Sequence, residues 1–264
     1  MSKLTASIVI FNPNVKRVLE TIDSLFSDYP QVELTIVDNS PIKSNFTENL
    51  SPNYKGQIIY LWNGKNLGFG AAHNLAVKHI SPPSDYHLII NPDITVQKGC
   101  IRELTSYLDQ NPEVGMVGPK ILSPDGSMQY SCKRNPSLFI LAIRWLVKRS
   151  VIESIDLLRM KNSLYEMQDF NYNSSIEPEF LSGCFMIIRR KIFEQLDGFD
   201  DRYFLYLEDA DLTRRVNQVS KTKFIPTATV IHDWMRGSHK NIKLALIMFQ
   251  SSIKYFSKWG LKII

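Results

Sequence analysis

Residues 34–40, LTIVDNS, form a short apolar run that gives way at once to polar side chains. Short, continuous apolar runs are typical of strands whose two faces are both covered. The same pattern occurs at Ser7–Phe11, Ile58–Trp62 and His87–Ile90. Helical patterns at Val15–Phe26 and Phe69–Ile80 lie between these runs. This order predicts an α/β fold with a mostly parallel central sheet flanked by helices.

The polar residues after each run indicate where a ligand binds, because ligands of open parallel sheets lie beyond the carboxyl ends of the strands. Asn12 follows the first run, and Asp38 and Asn39 follow the second. Asp38 offers an acceptor for a nucleobase N–H or a ribose hydroxyl. The sequence Asp-Asn-Ser-Pro is also good turn chemistry, but its position at a strand end favours the binding role.

The stretch Asn66-Leu-Gly-Phe-Gly-Ala-Ala-His-Asn74 is a near match to the dinucleotide fingerprint G-x-G-x-x-G, with His73 in place of the third glycine. It follows the third strand rather than the first, so a nicotinamide or flavin site is not favoured. Its small residues would still let a ligand approach a helix N-terminus, whose free N–H groups favour anions. A simple turn explains the glycines but not the flanking Asn66 and Asn74.

Candidate metal ligands follow two predicted strands. Asn91-Pro92-Asp93 places one carboxylate at a strand end, and a divalent cation that bridges phosphates needs only one or two. His232 also follows a predicted strand and could complete such a site, while Trp234 could stack on a sugar or base. A turn and a structural histidine are the alternatives, and no spacing typical of a zinc enzyme is present.

Residues 208–211, EDAD, open a predicted helix with three acids. Asp209 shares a face with Leu212 and Val216, which indicates that its side chain points inward. An inward carboxylate tends to have a raised pKa, as a general base working near neutrality requires. Compensation of the helix dipole explains where the acids lie but not their number, so a catalytic role is favoured.

The remainder of the chain is less regular. Residues 150–178 are predicted to be an irregular, mobile loop. We divide the chain into a domain at 1–239 and a basic amphipathic C-terminal helix within 240–264. The other predicted elements are helices at Gly99–Leu108, Asp209–Val219 and Lys243–Lys258, and strands at Val114–Val117, Leu181–Ile188 and Phe224–Ile231.

Composition and charge narrow the function classes. The 264 residues are 44% hydrophobic, with a formal charge of +5, which excludes a disordered chain. Three dispersed cysteines and the absence of a secretory leader or an apolar run of bilayer length favour the cytosol. Residues 212–264 contain ten lysines or arginines and a single acid, Asp233. Residues 133–149 contain five more basic residues. These two basic, apolar segments favour an anionic surface as partner, with ordinary solvated faces as the alternative.

Taken in order, these segments resemble the inverting family-2 glycosyltransferases with the GT-A (nucleotide-diphospho-sugar transferase) fold, especially rhamnosyltransferases of bacterial surface-polysaccharide assembly. The resemblance extends from about Leu4 to Ser238. Beyond the strand ends already quoted, it is carried by residues 181–190, LSGCFMIIRR, by residues 198–201, GFDD, and by residues 204–212.

The resemblance implies a role for each candidate residue. Asp209 matches the catalytic base, with Glu208 as its acidic neighbour, and Asp93 and His232 match the residues near the metal, which would be Mg²⁺ or Mn²⁺. Asn91 stands where the usual D-x-D motif begins, which is common in the rhamnosyltransferase-like subgroup and favours dTDP-L-rhamnose as donor. The expected nucleotide-sugar contacts are Phe11, Asn12, Asp38, Asn39, Asn66, Gly68, Phe69, Asn74 and Asn91, and the expected acceptor contacts are Trp234, Arg236 and Ser238.

The implied partners are a nucleotide-sugar donor and a lipid-linked glycan acceptor at the cytoplasmic face of the inner membrane, with peripheral membrane contact and no nucleic acid. A UDP- or GDP-sugar donor is the first alternative. A nucleotidyltransferase would carry an early basic glycine-rich loop where this chain has Phe11-Asn12-Pro13-Asn14. A basic nucleic-acid- or membrane-binding module with a degenerate transferase fold is a further alternative. Nucleic-acid binding is disfavoured because the carboxylates of Asp38, Asp93 and Asp209 would face the phosphates and repel them.

Overall fold

The computed structural model describes residues 2–54, 56–80, 84–147, 149–234 and 242–263. Within them the strands are β1 (Leu4–Ile10), β2 (Glu33–Asp38), β3 (Ile58–Trp62), β4 (Tyr86–Ile90), β5 (Ile94–Val96), β6 (Val114–Leu122), β7 (Met128–Gln129), β8 (Cys132–Lys133), β9 (Phe180–Leu181), β10 (Phe185–Arg189) and β11 (Lys221–His232). The helices are α1 (Val15–Asp28), α2 (Phe69–His79), α3 (Cys100–Gln110), α4 (Leu138–Leu146), α5 (Arg149–Ser154), α6 (Asp156–Tyr165), α7 (Arg190–Gln195), α8 (Glu208–Val219) and α9 (Ile242–Trp259).

The central sheet is parallel in its first half and mixed in its second. Strands β2 and β4 both pair in parallel with β1, and β3 extends the sheet from β2. The predicted parallel order is therefore confirmed, and the four strands end at one edge. Antiparallel pairing enters with β10, which lies between β4 and β6. Strand β11 then runs parallel to β6 and antiparallel to β5.

Helices cover both faces of this sheet, which is why the central strands β4 and β10 are almost completely buried. On one face, α1 buries Val18, Ile22 and Leu25, in a core cluster shared with residues of α3. On the other, Val77 of α2 and Val216 of α8 pack in a second cluster. The two layers hold β1 to β4 rigidly, so the polar residues at their ends are positioned by the core.

Residues 150–178 are not the predicted irregular loop, because they contain α5 and α6. The expectation rested on the Asn/Ser-rich residues 171–175, which lie after the helices. Glu166, at the end of α6, is buried and accepts a hydrogen bond from Arg144 of α4 at 2.6 Å. Arg134 likewise pairs with Asp169 at 2.6 Å. These ion pairs tie the segment to the body.

Helix α9 packs on the body through Tyr255 and Phe256. Two of its three basic side chains turn back onto the body. Lys254 donates to the carbonyl of Arg202, and Lys258 binds Asp200 and the fully buried Asp211. The outer side instead exposes an apolar stripe, Ile242, Leu246, Phe249 and Ile253. In the described part of the chain, no helix combines the length and apolarity needed to cross a bilayer.

Candidate active site

A cavity of about 460 Å³ opens where β4, β11 and the start of α8 meet. It gathers six of the predicted site residues from distant parts of the sequence: Phe69, Asn91, Glu208, Asp209, His232 and Trp234. A second group of residues that line the cavity, which we call the far wall, consists of Gln129, Tyr130, Lys133, Arg144, Glu166 and Gly183. The basic composition of residues 133–149 predicts contact of Lys133 and Arg144 with an anionic partner, whereas no sequence feature predicts a role for the other four residues.

Asp209 faces this cavity from the first turn of α8, as its spacing from Leu212 and Val216 predicts. The backbone N–H of Gly183 donates to its Oδ2, and its own neighbour Ala210 donates to Oδ1, both at 2.9 Å. Burial raises the pKa of Asp209, and the nearby Lys133 opposes the rise. A carboxylate so fixed, with a raised pKa, is suited to accept a proton.

Glu208 is buried beside Asp209, and its Oε2 has no hydrogen-bond partner. Burial, followed by the charge of Asp209, raises the pKa of Glu208 well above its usual range. The preceding residues, Tyr206 and Leu207, both have positive φ angles of 73° and 67°. Two consecutive residues in this conformation are strained. The strain lies directly before the acidic pair, as it often does at functional sites.

Asp93 and His232 meet at the cavity edge. His232 Nε2 lies 3.3 Å from Asp93 Oδ1, and each of these buried atoms lacks a well-formed hydrogen bond. Burial alone would lower the pKa of His232, but Asp93 and Cys184 outweigh it and raise the pKa to about 10. Gln129 fixes the ring from the other side, with its Oε1 3.0 Å from Nδ1.

Carboxylate oxygen and imidazole nitrogen are both ligands of Mn²⁺ and Mg²⁺ in proteins. No group of three or more acids, histidines or cysteines is placed to hold a metal within the described ranges. Asp93 and His232 therefore fit an ion held by two protein ligands, provided that the ion displaces the proton that the raised pKa keeps on His232, with phosphate and water oxygens completing its coordination.

Asp38 is fully buried, and both of its oxygens are already satisfied. It accepts hydrogen bonds from the N–H groups of Ser40 at 2.8 Å and Ser44 at 3.1 Å, and from the Tyr60 hydroxyl at 2.6 Å. The structure thus gives Asp38 a role in shaping the turn after β2. Direct contact with a nucleobase stays a prediction, and it requires one of these hydrogen bonds to be exchanged.

The remaining strand-end residues form a hydrogen-bonded edge beside the cavity. Asn39 donates to Asn66 Oδ1 at 3.2 Å and to the Gly68 carbonyl at 3.0 Å. Gly68 has φ +87°, and a Cβ there would lie 2.2 Å from the Phe204 carbonyl oxygen, so only glycine fits. Asn12 donates its N–H to Ser40 Oγ at 2.7 Å. Their contacts to a nucleotide sugar stay predictions, as does that of Phe11, which is half-exposed.

The side chain of Asn74 is engaged within the body. Its side chain is buried, donates to the Phe199 carbonyl and to Asp201 at 2.8 and 2.7 Å, and accepts from the Phe199 N–H at 2.8 Å. All of its hydrogen-bonding atoms thus hold the loop before α8. Asn74 lies within α2, and its contact to a nucleotide sugar stays a prediction that requires some of these hydrogen bonds to be exchanged.

The predicted acceptor contacts are described in part. Trp234 is half-exposed, lines the cavity and stacks on His232 with ring centroids 6.4 Å apart. Arg236 and Ser238 lie outside the described residues, as do Lys240 and the predicted domain boundary at 239/240. The division into 1–239 and 240–264 stays a prediction.

The far wall was missed because its strands are short. Strands β7 and β8 contain two residues each, too few for a period to be recognised. One signal was available: residues 126–152 contain no acid but carry Lys133, Arg134 and Arg144. This composition favours an outer surface that meets an anionic partner. In the structure, Lys133 and Arg144 instead line the cavity, and Arg134 pairs with Asp169.

This arrangement of a parallel sheet edge, an acidic helix start and a carboxylate–histidine pair defines a glycosyltransferase of the GT-A fold. The chain belongs to glycosyl transferase family 2, whose family model matches residues 6–197.

Two curated relatives are rhamnosyltransferases. The N-acetylglucosaminyl-diphospho-decaprenol L-rhamnosyltransferase of Mycobacterium tuberculosis is 28% identical over 83% of this chain and 72% of its own length. Rhamnosyltransferase WbbL of Escherichia coli is 24% identical over 85% of this chain and 81% of its own.

Two solved structures share the fold, each at 14% sequence identity. GalNAc-T7 with UDP, GalNAc and Mn²⁺ has a TM-score of 0.67 and covers 91% of this chain, which spans 45% of that protein. The mannosyltransferase PcManGT of Pyrobaculum calidifontis, with GDP-Man and Mn²⁺, has a TM-score of 0.61 and covers 97% of this chain, which spans 64% of it.

Proposed function

We propose that this glycosyltransferase moves L-rhamnose from dTDP-L-rhamnose to a hydroxyl of a lipid-diphosphate-linked glycan, with inversion, in the synthesis of a bacterial O-antigen or capsule. The observation that carries the proposal is the placement of Asp209, fixed by two backbone N–H groups, in one cavity with Asn91 and His232. The names of both curated relatives support the donor sugar, and the mycobacterial name supports an N-acetylglucosaminyl-diphospho-lipid acceptor.

In the proposed reaction, the acceptor hydroxyl lies within hydrogen-bond reach of Asp209. Its oxygen forms a bond to the anomeric carbon while the bond from that carbon to the nucleoside diphosphate breaks on the opposite face. Asp209 takes the hydroxyl proton, and the Gly183 and Ala210 N–H groups keep the carboxylate aimed during the transfer. Trp234 would stack on the acceptor sugar.

Asp93 and His232 would hold a divalent cation, Mg²⁺ or Mn²⁺, and the bound ion would neutralise the negative charge of the departing diphosphate. Both ligand atoms are buried without a well-formed hydrogen bond, which supports this assignment.

The same proposal places the enzyme at the cytoplasmic face of the inner membrane. Support comes from the exposed stripe Ile242, Leu246, Phe249 and Ile253 on α9, whose spacing of four, three and four residues keeps it on one side of the helix. Replacing Leu246 and Phe249 by Gln should abolish co-sedimentation with anionic vesicles, with Glu20→Gln on α1 as the surface control. Unchanged co-sedimentation would refute membrane contact through α9.

Thermal unfolding with dTDP, UDP or GDP, each with and without Mg²⁺ or Mn²⁺, tests the donor. A ligand at a hundred times its Kd adds about 2.7 kcal/mol, which for this chain length is roughly 5 to 10 °C in Tm. We expect a metal-dependent shift with dTDP. A shift with UDP or GDP alone would change the donor and keep the enzyme class, whereas no shift with any of them would refute nucleotide-sugar transfer.

A further inference from the structure

Lys133 brings a positive charge into the cavity without a counter-ion. Its ammonium lies 4.8 Å from the centroid of the Phe180 ring. Within the described part of the chain it has no acid within 4.0 Å and no hydrogen-bond partner, although the residue is half-buried. Burial, and then the charge of Arg144, lower the pKa of Lys133. A desolvated cation without a partner costs free energy, which an anion in the cavity would recover.

Two carboxylates lie near Lys133. The charges of Asp209 and Glu166 both act on its ammonium. Glu166 is already engaged by Arg144 at 2.6 Å and by Gln168 at 2.8 Å. Glu166 therefore neutralises Arg144, which leaves Asp209 as the acid near Lys133, without a close ion pair between them in the described part of the chain.

We propose that Lys133 binds a phosphate of the acceptor, the one attached to the sugar whose hydroxyl meets Asp209. The inference rests on the proposed function, because a hydroxyl held at Asp209 places the rest of the acceptor against the far wall. An ammonium facing a phosphate forms a charge-assisted hydrogen bond, which is among the stronger polar contacts in proteins. The donor diphosphate belongs to the Asp93 and His232 side.

Calorimetric titration with N-acetylglucosamine 1-phosphate in EDTA tests the site without any turnover. Lys133→Met should weaken binding at least tenfold, the loss of one charge-assisted contact, while Lys133→Arg stays within threefold. Lys191→Met, at an exposed position on α7, is the matched control and should bind as the wild type does. Equal affinity of Lys133→Met and wild type, or no preference of the wild type for the phosphate over the methyl glycoside, would overturn the proposal.

A kinetic comparison separates acceptor binding from an effect on Asp209. Two acceptors carry the same sugar, one as an alkyl diphosphate and one as an alkyl glycoside. Lys133→Met should raise KM for the diphosphate at least tenfold and leave kcat/KM for the glycoside within threefold. Equal losses on both acceptors, with a shifted pH profile, would assign Lys133 to Asp209 instead. Sugar-phosphate binding through Lys133 without transfer from any nucleotide sugar would refute the proposed function and leave the site in place.

Discussion

The strand-end edge and the far wall meet at one cavity, but they are built in different ways. The strand-end edge, at the ends of β1 to β4, follows from local alternation of strands and helices, and each of its polar residues comes directly after an apolar run. The far wall collects Gln129, Lys133, Arg144, Glu166 and Gly183 from two-residue strands, helix ends and a turn. Its geometry depends on pairings between residues far apart in sequence, such as Lys133 with Phe180.

The two regions differ in how far their polar groups are already satisfied by the protein. Two helical layers hold the edge, and its side chains mostly bind neighbouring protein groups, since Asn39 binds Asn66 and Asp38 binds the Ser40 N–H. The cavity keeps groups without hydrogen-bond partners, namely Glu208 Oε2 and the Lys133 ammonium, and a histidine, His232, whose Nε2 has only the 3.3 Å contact with Asp93. Unpaired polar groups cost stability, so their concentration in the cavity indicates that ligands supply the missing partners.

We expect the largest effect, on kcat, from replacing Asp209. Asp209→Asn keeps the size of the side chain but removes the base, so kcat should fall about 10³-fold. The dTDP-dependent rise in Tm should persist, because donor binding belongs to the other side. Asp125→Asn, in an exposed turn, is the control. A variant that retains more than a tenth of the wild-type kcat would remove Asp209 from the reaction.

The next largest effect is on the free energy of unfolding, through the buried ion pairs of Asp211. Asp211 is fully buried and binds Arg215 at 2.8 Å, Lys258 at 2.8 Å and the Trp259 indole at 2.8 Å. Asp211→Asn leaves the two cations without their shared carboxylate, and we expect a loss of about 3 kcal/mol, or roughly 6 to 12 °C in Tm.

The matched control for Asp211→Asn is Asp156→Asn, which breaks an exposed ion pair with Arg159 and should change stability by less than about 1 kcal/mol. Equal effects of the two substitutions would show that α9 is not anchored through Asp211.

Beneath the strand-end edge, two buried histidines predict a pH dependence of stability. Ser7 Oγ lies 2.7 Å from His73 Nδ1 and 2.8 Å from His87 Nε2. Burial lowers the pKa of His73 to about 3, and burial followed by His73 lowers that of His87. Both stay neutral in the folded state, while the unfolded chain takes up protons below pH 6.5. The free energy of unfolding should therefore fall below pH 6.5, by up to about 2.7 kcal/mol per pH unit for the pair.

Urea unfolding at pH 7.0, 6.5, 6.0 and 5.5 measures this slope. His79→Gln, at an exposed position, should keep it, whereas His73→Gln should reduce it by about half. The raised pKa values of Glu208 and Asp209 contribute to the slope with the opposite sign, so the comparison between variants is decisive. A slope between pH 6.5 and 5.5 that His73→Gln leaves unchanged would contradict the assignment of two neutral buried histidines.

The smallest expected effect is that of removing the Asn74 side chain, which holds the loop before α8. Asn74→Ala leaves the Phe199 N–H without its acceptor and should cost about 2 kcal/mol of stability. The Kd for dTDP with metal should stay within twofold of the wild type. Loss of dTDP affinity at unchanged stability would instead return Asn74 to the ligand contacts.

Much of the fold follows from short-range pattern. The runs at β1 to β4 and the stripe of α1 are each set by neighbouring residues, and the inward position of Asp209 follows from its spacing to Leu212. By contrast, the antiparallel insertion of β10 between β4 and β6 depends on long-range pairing. The interruption of the predicted strand 181–188 at residues 182–184 has the same origin, since Gly183 approaches Asp209 there.

The missed parts of the site share one physical reason. Whether a charge points into a cavity or into solvent depends on what packs beside it, and composition cannot report this. Lys133 and Lys258 belong to segments of similar basic character, yet the first lines the cavity and the second binds a buried aspartate. Asn74 shows the converse, since its position beside a glycine-rich turn is typical of a ligand contact while its partners are all internal.

The central claim is that one carboxylate, Asp209, activates the acceptor for a single displacement at the anomeric carbon. The most direct test is the ¹H NMR spectrum of the product formed from dTDP-L-rhamnose and an N-acetylglucosaminyl-diphosphoryl alkyl acceptor. We predict an anomeric configuration opposite to that of the donor, formed by the wild type and reduced about 10³-fold in Asp209→Asn. A product that retains the donor configuration would require two displacements and would contradict the account.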